Sequence, residues 1–138
     1  MIEEYVKRYW DALAVQQKFV PMLSGVYSIP VDENLTIFVS DLHDMGYRVH
    51  ANIAELPDGD KESFYIKALR GNLFGDGTGG AVLGLEADGK TFVLIDILPK
   101  DIDYKNFAYA LEDFCNWVEY WRDGPVKEIT NIADKPYF

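Results

Sequence analysis

The residue types that build cross-links, metal sites and catalytic pairs are scarce in this chain of 138 residues. Its one cysteine, Cys115, allows no internal disulfide, which fits a reducing compartment. Its two histidines, His43 and His50, lack the spacing of a zinc site. We therefore expect neither a metal nor a cofactor.

Positive charge is also in short supply. Lys and Arg number 13 against 23 Asp and Glu, which gives a net charge of −10. Because nucleic acids and anionic membranes are bound by clustered Lys and Arg, we expect neither as a partner. The balance fits a protein whose partner is basic or neutral.

Long apolar segments are missing too. No apolar run reaches the roughly 18 residues that a membrane helix needs, so we expect no membrane insertion. The first residues, 1–5, are acidic and lack an apolar core, so we expect no signal peptide. At 49% hydrophobic and 26% charged residues, the composition is typical of one globular domain.

Three segments have the apolar spacing of amphipathic helices. The first covers about Ile2 to Gln17, and the second runs roughly from Lys61 to Phe74. The third follows Asp103, the predicted N-cap, and closes at Gly124 and Pro125. Its apolar stripe repeats every three or four residues: Phe107, Leu111, Phe114, Val118 and Trp121.

The intervening segments alternate or are continuously apolar, as strands do. Short polar turns join Val26–Val31, Leu35–Ser40 and Tyr47–Ile53 into an antiparallel meander. Asp88-Gly89 predicts a tight hairpin between 81–87 and 91–98. The order α-β-β-β-α-β-β-α predicts a single α+β domain at 1–125, with helices packed on a mainly antiparallel, twisted sheet and a tail at 126–138.

A glycine-rich segment lies between the second helix and the fourth strand. Gly75, Gly77 and Gly80 spell G-x-G-x-x-G, a pattern found in dinucleotide-binding proteins. A phosphate-binding loop needs a strand before the glycines and a helix after them, so that a helix N-terminus faces the anion. Here that order is reversed. We therefore interpret the glycines as a flexible link that lets helix and sheet approach closely.

The search for catalytic residues is negative. Asp58, Asp60 and Glu62 resemble the start of a calcium loop, but Ser63 and Leu69 occupy the positions that require Gly and Glu. The acidic residues are better explained as a solvated helix start. No residue set offers a nucleophile, a base and an orienting group together, so we expect no enzyme.

Aromatic residues are abundant and have two possible uses. Three Trp, nine Tyr and eight Phe can fill the core, or some can form an interface with another chain. Trp10, beside the first helical stripe, fits either use, whereas Trp121 fits the core better. The stripes of the first and last helices are wider than one sheet face requires, which favours a surface for a partner.

Several segments in this order resemble the class I type III secretion chaperones, the CesT/Tir chaperone family. They are the helix end 68–74, the segment 79–86, the apolar strand 92–98 and the helix 107–122. The resemblance covers 1 to about 125 and depends on the joint order of hydrophobic patterns with a few glycines. Two departures are the longer loop at 75–80 and the polar end of the first helix at 16–18.

The resemblance implies a cytosolic homodimer in a Gram-negative bacterium. Such a chaperone binds the N-terminal segment of a secreted effector in extended form and keeps it soluble and secretion-competent without ATP. The secretion ATPase is a further partner that the resemblance implies. The alternative is a YbjN-like module of the same fold that binds proteins outside secretion.

The resemblance also implies two sets of site residues. The effector-binding set lies on the first helix and the sheet: Val6, Trp10, Leu13, Val26, Ile29, Ile37 and Val39. The dimer-interface set lies on the second helix and the following strand: Phe64, Leu69, Leu73, Phe74, Val82 and Leu83.

Overall fold

The computed structural model describes residues 1–13, 17–19, 25–56 and 59–128. The elements follow the predicted order: α1 (Ile2–Ala12), β1 (Val26–Pro30), β2 (Thr36–Asp41), β3 (Tyr47–Glu55), α2 (Lys61–Asn72), β4 (Val82–Leu85), β5 (Thr91–Leu98) and α3 (Tyr104–Asp123). Short 3-10 turns lie at His43–Met45 and Leu73–Gly75. The predicted α+β class and element order are therefore confirmed.

The five strands form one sheet in the order β1-β2-β3-β5-β4. Val39 pairs with Tyr27 on one side and Val49 on the other, which confirms the antiparallel meander. β4 pairs antiparallel with β5, with Leu83 opposite Leu94. Because β1 and β4 end the strand order, each has one edge that no described strand covers.

By its internal contacts the chain divides into two compact units. The first consists of Met1–Ala51 and Asp96–Glu112, and the second of Asn52–Ile95 and the chain from Asp113 onward. In the first unit, alternate residues of the meander are buried, including Ile29, Ile37, Val39 and Val49. In the second, the buried apolar side chains include Phe64, Leu83, Phe92, Leu94, Phe114, Val118 and Trp121.

Caps and turns confirm several predicted boundaries. The Asp103 carboxylate accepts a hydrogen bond from the Asn106 backbone N–H at 2.8 Å, so it is the N-cap of α3. Asp60 does the same for Ser63 at the start of α2, at 3.1 Å. In the β4–β5 hairpin, Gly89 takes a positive φ of 68° beside Asp88.

The predicted first helix is too long. α1 ends at Ala12 and not at Gln17; residues 14–16 lie outside the described chain. The Trp10 indole N–H donates to the Gln17 backbone carbonyl at 2.8 Å. Seven residues of helix rise roughly 10 Å, so this contact does not fit a helix that continues to Gln17.

Boundaries in the second half of the chain also differ. α2 stops at Asn72, and Phe74 takes a left-handed φ of 57° in the turn that follows. β4 is shorter than predicted, at 82–85. In the predicted tail, the Glu128 N–H donates to the Gly124 carbonyl at 3.0 Å, one helical turn beyond α3, and 129–138 lie outside the described residues.

A substitution in the apolar stripe of α3 tests the packing of the core in the first compact unit. Phe107 is fully buried, and its ring contacts Tyr5 and Tyr9 of α1 at centroid distances of 5.5 and 6.4 Å. We expect Phe107→Ala to lower the free energy of unfolding by about 3–5 kcal/mol, because it leaves a cavity between the two helices. Urea denaturation measures the change. The exposed Glu112→Ala on the same helix is the control and should stay within about 0.5 kcal/mol; equal losses in the two variants would contradict this account.

Candidate functional site

The predicted effector-binding residues all lie in the first compact unit, but they differ in exposure. Leu13 at the end of α1 and Val26 at the start of β1 are half-buried and reach the surface. The others are buried in the unbound chain: Val6, Trp10, Ile29, Ile37 and Val39. The structure therefore assigns the buried five to the core of this unit, and the role of the set in binding stays a prediction.

A cleft of about 540 Å³ opens between α1 and the start of α3, beside Leu13. Its lining combines aromatic rings with charge: Arg8, Tyr9, Tyr104, Lys105, Tyr109 and Glu112. The Arg8 guanidinium lies 4.0 Å from the centre of the Tyr104 ring, a cation–π contact. The Tyr5 hydroxyl donates to the Ile102 carbonyl at 3.1 Å and ties the two elements together.

The second face of the meander is more enclosed than the simple alternation of its residues predicted. Phe38 stacks on His50 across the β2–β3 pair, with ring centroids 4.9 Å apart. On the neighbouring pair, Ser40 Oγ and Arg48 Nε are shielded from solvent and have no hydrogen-bond partner among the described residues. Buried donors without acceptors cost free energy. Sequence reasoning missed these residues because their spacing matches an ordinary solvated face.

α2 carries two apolar stripes and buries only one of them. Phe64, Ala68 and Gly71 face the second unit's core at spacings of four and three. The other stripe consists of Ile66, Leu69 and Leu73 and is exposed. Aliphatic surface of this kind is common at interfaces between subunits.

The predicted dimer-interface residues divide in the same way. Phe64 and Leu83 are buried within the chain. The other four are exposed: Leu69 by 71%, Leu73 by 59%, Phe74 by 89% and Val82 by 54%. A shallow groove of about 320 Å³ lies between α2 and β4, and Leu69, Leu85 and Phe92 contribute to its lining. We call the four exposed residues the α2–β4 patch; its role in dimerisation stays a prediction.

One side chain of α2, Asn72, joins this helix to β4. The Asn72 amide donates to the Leu83 carbonyl at 3.0 Å, and its oxygen accepts from the Leu83 N–H at 2.7 Å. The side chain thus satisfies the β4 backbone as a neighbouring strand would. This contact holds the end of α2 against β4.

The glycine loop is packed on α3. A Cβ at Gly71 would lie 2.5 Å from the Trp121 ring, and one at Gly79 would lie 2.0 Å from the Trp117 nitrogen. The Trp121 indole N–H donates to the Gly77 carbonyl at 2.8 Å. The glycines therefore permit close approach to two tryptophans. The sequence predicted a close approach of helix and sheet, whereas these glycines approach the last helix. α2 precedes the loop and β4 follows it, the order that disfavours a phosphate site.

Titratable groups with altered pKa values have structural explanations. A hydrogen bond from the Lys100 ammonium, 2.9 Å away, and one from the His43 N–H lower the pKa of the Asp41 carboxyl. Burial raises the pKa of Tyr27. Across the described part of the chain, no group of three or more His, Cys, Asp or Glu side chains is placed to hold a metal ion. Among the helices described, none is long and apolar enough to cross a membrane.

Comparison with known proteins places this fold in a family. The profile of the Tir chaperone protein (CesT) family matches residues 12–122. A Chlamydia pneumoniae protein, CPj0713/CpB0740, is 28% identical over 122 residues, which cover 88% of this chain and 93% of that protein.

Two solved structures have the same fold. A chain of the HopA1–SchA chaperone–effector complex superposes with a TM-score of 0.67 at 15% identity, covering 89% of this chain and 94% of that one. A chain from the complex of the Yersinia pestis type III secretion chaperone SycH with a fragment of YscM2 gives 0.63 at 14% identity, covering 86% and 97%.

The packing of the glycine loop is testable. Gly79→Ala should lower the free energy of unfolding by more than about 1 kcal/mol, because alanine is strained at a φ of +65° and its Cβ would overlap the Trp117 ring. Gly59→Ala is the matched control, since it has open space and no positive φ. Thermal or urea unfolding compares the two; a Gly79→Ala protein as stable as the control would exclude the close contact.

Proposed function

Because the chain belongs to the Tir chaperone protein (CesT) family, we propose that it is a type III secretion chaperone. It holds the N-terminal segment of a secreted effector in an extended, soluble and secretion-competent form. It acts in the bacterial cytosol as a binding protein, without ATP hydrolysis of its own, and delivers its client to the secretion ATPase. The chaperone–effector complex among the structural neighbours supports this assignment.

The observation that carries the proposal is the edge of β1 that no described strand covers. Among the described strands, β1 pairs only with β2, and it ends the strand order. An extended client can add to such an edge through backbone hydrogen bonds, with alternate side chains entering pockets beside it. Val26 and Leu13 are the predicted client contacts that reach the surface next to this edge and to α1.

The buried members of the predicted set have a supporting role in this proposal. Ile29 alternates with Ser28 along β1, so burying Ile29 holds the strand in one register and keeps its opposite face outward.

We further propose that the α2–β4 patch forms a homodimer. Exposing four aliphatic and aromatic side chains on adjacent elements is unfavourable for an isolated chain, and a two-fold contact buries the same patch on both subunits. The Asn72 contact with Leu83 keeps this patch in one arrangement, which lowers the entropy that association costs.

Replacing Leu73 with Asp tests the dimer. The change puts a carboxylate at the centre of the α2–β4 patch, and we expect the dimer dissociation constant to rise at least a hundredfold, because an unpaired charge would be buried. Light scattering over a concentration series measures it. Met45→Asp is the control, since Met45 is 78% exposed on the turn at 43–45 and belongs to the first compact unit, whereas α2 and β4 belong to the second. A Leu73→Asp protein that dimerises like Met45→Asp would move the interface elsewhere.

Client capture tests the chaperone function itself. Purification of the tagged chain from its native bacterium, followed by mass spectrometry, should recover one dominant secreted protein held through its N-terminal segment. Val26→Asp combined with Leu13→Asp should reduce the amount of client recovered at least tenfold while the dimer persists. The reason is that apolar client side chains would bury the two new carboxylates without a partner, which costs free energy. The Met45→Asp control should retain it.

Two other results of the client-capture experiment would contradict the proposed site or the proposed function. A client bound equally by the double variant would place its site away from β1. A stable dimer that never carries a secreted protein would favour the alternative of a protein-binding module outside secretion.

A further inference from the structure

A depression of about 450 Å³ lies between the glycine loop and the middle of α3, within the second compact unit. Its size is that of a small-ligand or side-chain pocket. Its lining is acidic and aromatic: Asp76, Gly77, Asp113, Asn116, Trp117 and Tyr120. We call it the Trp117 pocket. Neither predicted set of site residues includes any of these six.

The walls of the Trp117 pocket are held in place by the loop. Gly79 lies directly against the Trp117 indole, where no other residue would fit, and the Gly77 carbonyl accepts the Trp121 N–H at 2.8 Å. The Trp117 and Tyr120 rings meet edge to face, with centroids 5.4 Å apart and planes at 81°. Two aromatic walls at nearly a right angle therefore form a preorganised corner.

The charge of the pocket is uncompensated. Within the described residues, the carboxylates of Asp76 and Asp113 take part in no ion pair and accept no hydrogen bond. No Lys or Arg of the described chain contributes to the lining. A phosphate or a carboxylate would be repelled here, whereas a cation gains from both carboxylates and from the faces of the rings.

We propose that the Trp117 pocket binds an arginine side chain presented by a basic segment of a partner protein. A guanidinium group stacks on an indole or phenol ring and donates to a carboxylate through two N–H groups, and Asn116 adds an acceptor. A lysine ammonium is a compact, strongly hydrated charge and does not stack on an aromatic ring as a planar guanidinium does, so we expect it to bind the pocket more weakly. The proposal does not depend on the client edge at β1 or on the dimer.

The experiment uses the full-length protein and a defined probe. The peptide acetyl-Gly-Ser-Arg-Ser-Gly-amide is titrated against protein labelled with nitrogen-15, and the three indole N–H resonances are followed after assignment by Trp→Phe variants. We expect the Trp117 resonance to shift, with the Trp10 resonance unchanged. A peptide with citrulline in place of arginine has the same shape without the charge, and should bind at least about tenfold more weakly.

Matched variants separate a built pocket from general attraction to an acidic protein. Asp76→Asn with Asp113→Asn should weaken arginine-peptide binding at least about tenfold. Asp44→Asn with Asp101→Asn removes the same total charge at exposed positions outside the pocket and should leave binding unchanged. Urea midpoints of both variants should match the parent, since all four side chains are exposed.

Three results would overturn the proposal: no shift of Trp117 at millimolar peptide, equal binding of the citrulline peptide, or equal loss in the two double variants. None of these bears on client capture through β1, so the pocket can fail while the chaperone function stands. Conversely, a chain that captures no secreted client could still bind the arginine peptide.

Discussion

Burial of one apolar stripe along α3 is the interaction on which the other elements depend. Phe107 and Leu111 are buried in the first compact unit, and Phe114, Val118 and Trp121 in the second. A helix of 20 residues spans about 30 Å, so a single element provides core side chains over most of the length of a small domain. The capped start at Asp103 and the contacts of Trp121 at the other end hold this stripe in register.

The glycine loop follows from the same constraint. Two tryptophans on α3 leave no space for a Cβ where they meet the end of α2, at Gly71, and the loop, at Gly79. The loop in turn determines where α2 ends and β4 begins, and Asn72 joins the two through paired hydrogen bonds. A pattern that resembles a nucleotide-binding motif is thus explained by close packing on aromatic rings.

What the chain leaves exposed is as informative as what it buries. One strand edge at β1 and the second apolar stripe of α2 have no covering element among the described residues. A protein of net charge −10 with such surfaces is suited to binding chains that are apolar at their centre and basic at their margins. This combination is the physical basis of the proposed role in holding an extended client.

Local patterns in the sequence were enough for the element order, the antiparallel meander and the N-cap at Asp103. Spacings of two and of three to four residues report which side chains share a face, and Asp60 and Asp103 satisfy backbone donors a few residues away. The same patterns predicted α1 to continue to Gln17, whereas it ends at Ala12. The family resemblance implied that Phe64 and Leu69, and likewise Leu83 and Val82, belong to one surface, but Phe64 and Leu83 are buried within the chain.

Those assignments required the tertiary structure because an apolar residue is equally well buried by its own chain or by another. Val6, Ile29, Ile37 and Val39 are apolar and regularly spaced, yet only packing shows that their own unit buries them. Leu69, Leu73 and Phe74 have the same chemistry and remain exposed. Asp76 and Asp113, 37 positions apart, became neighbours in one pocket only when the loop was folded onto α3. The spacing of apolar residues is local, so the sequence alone shows which side chains share a face. Contacts between segments far apart in the chain decide which element packs against that face.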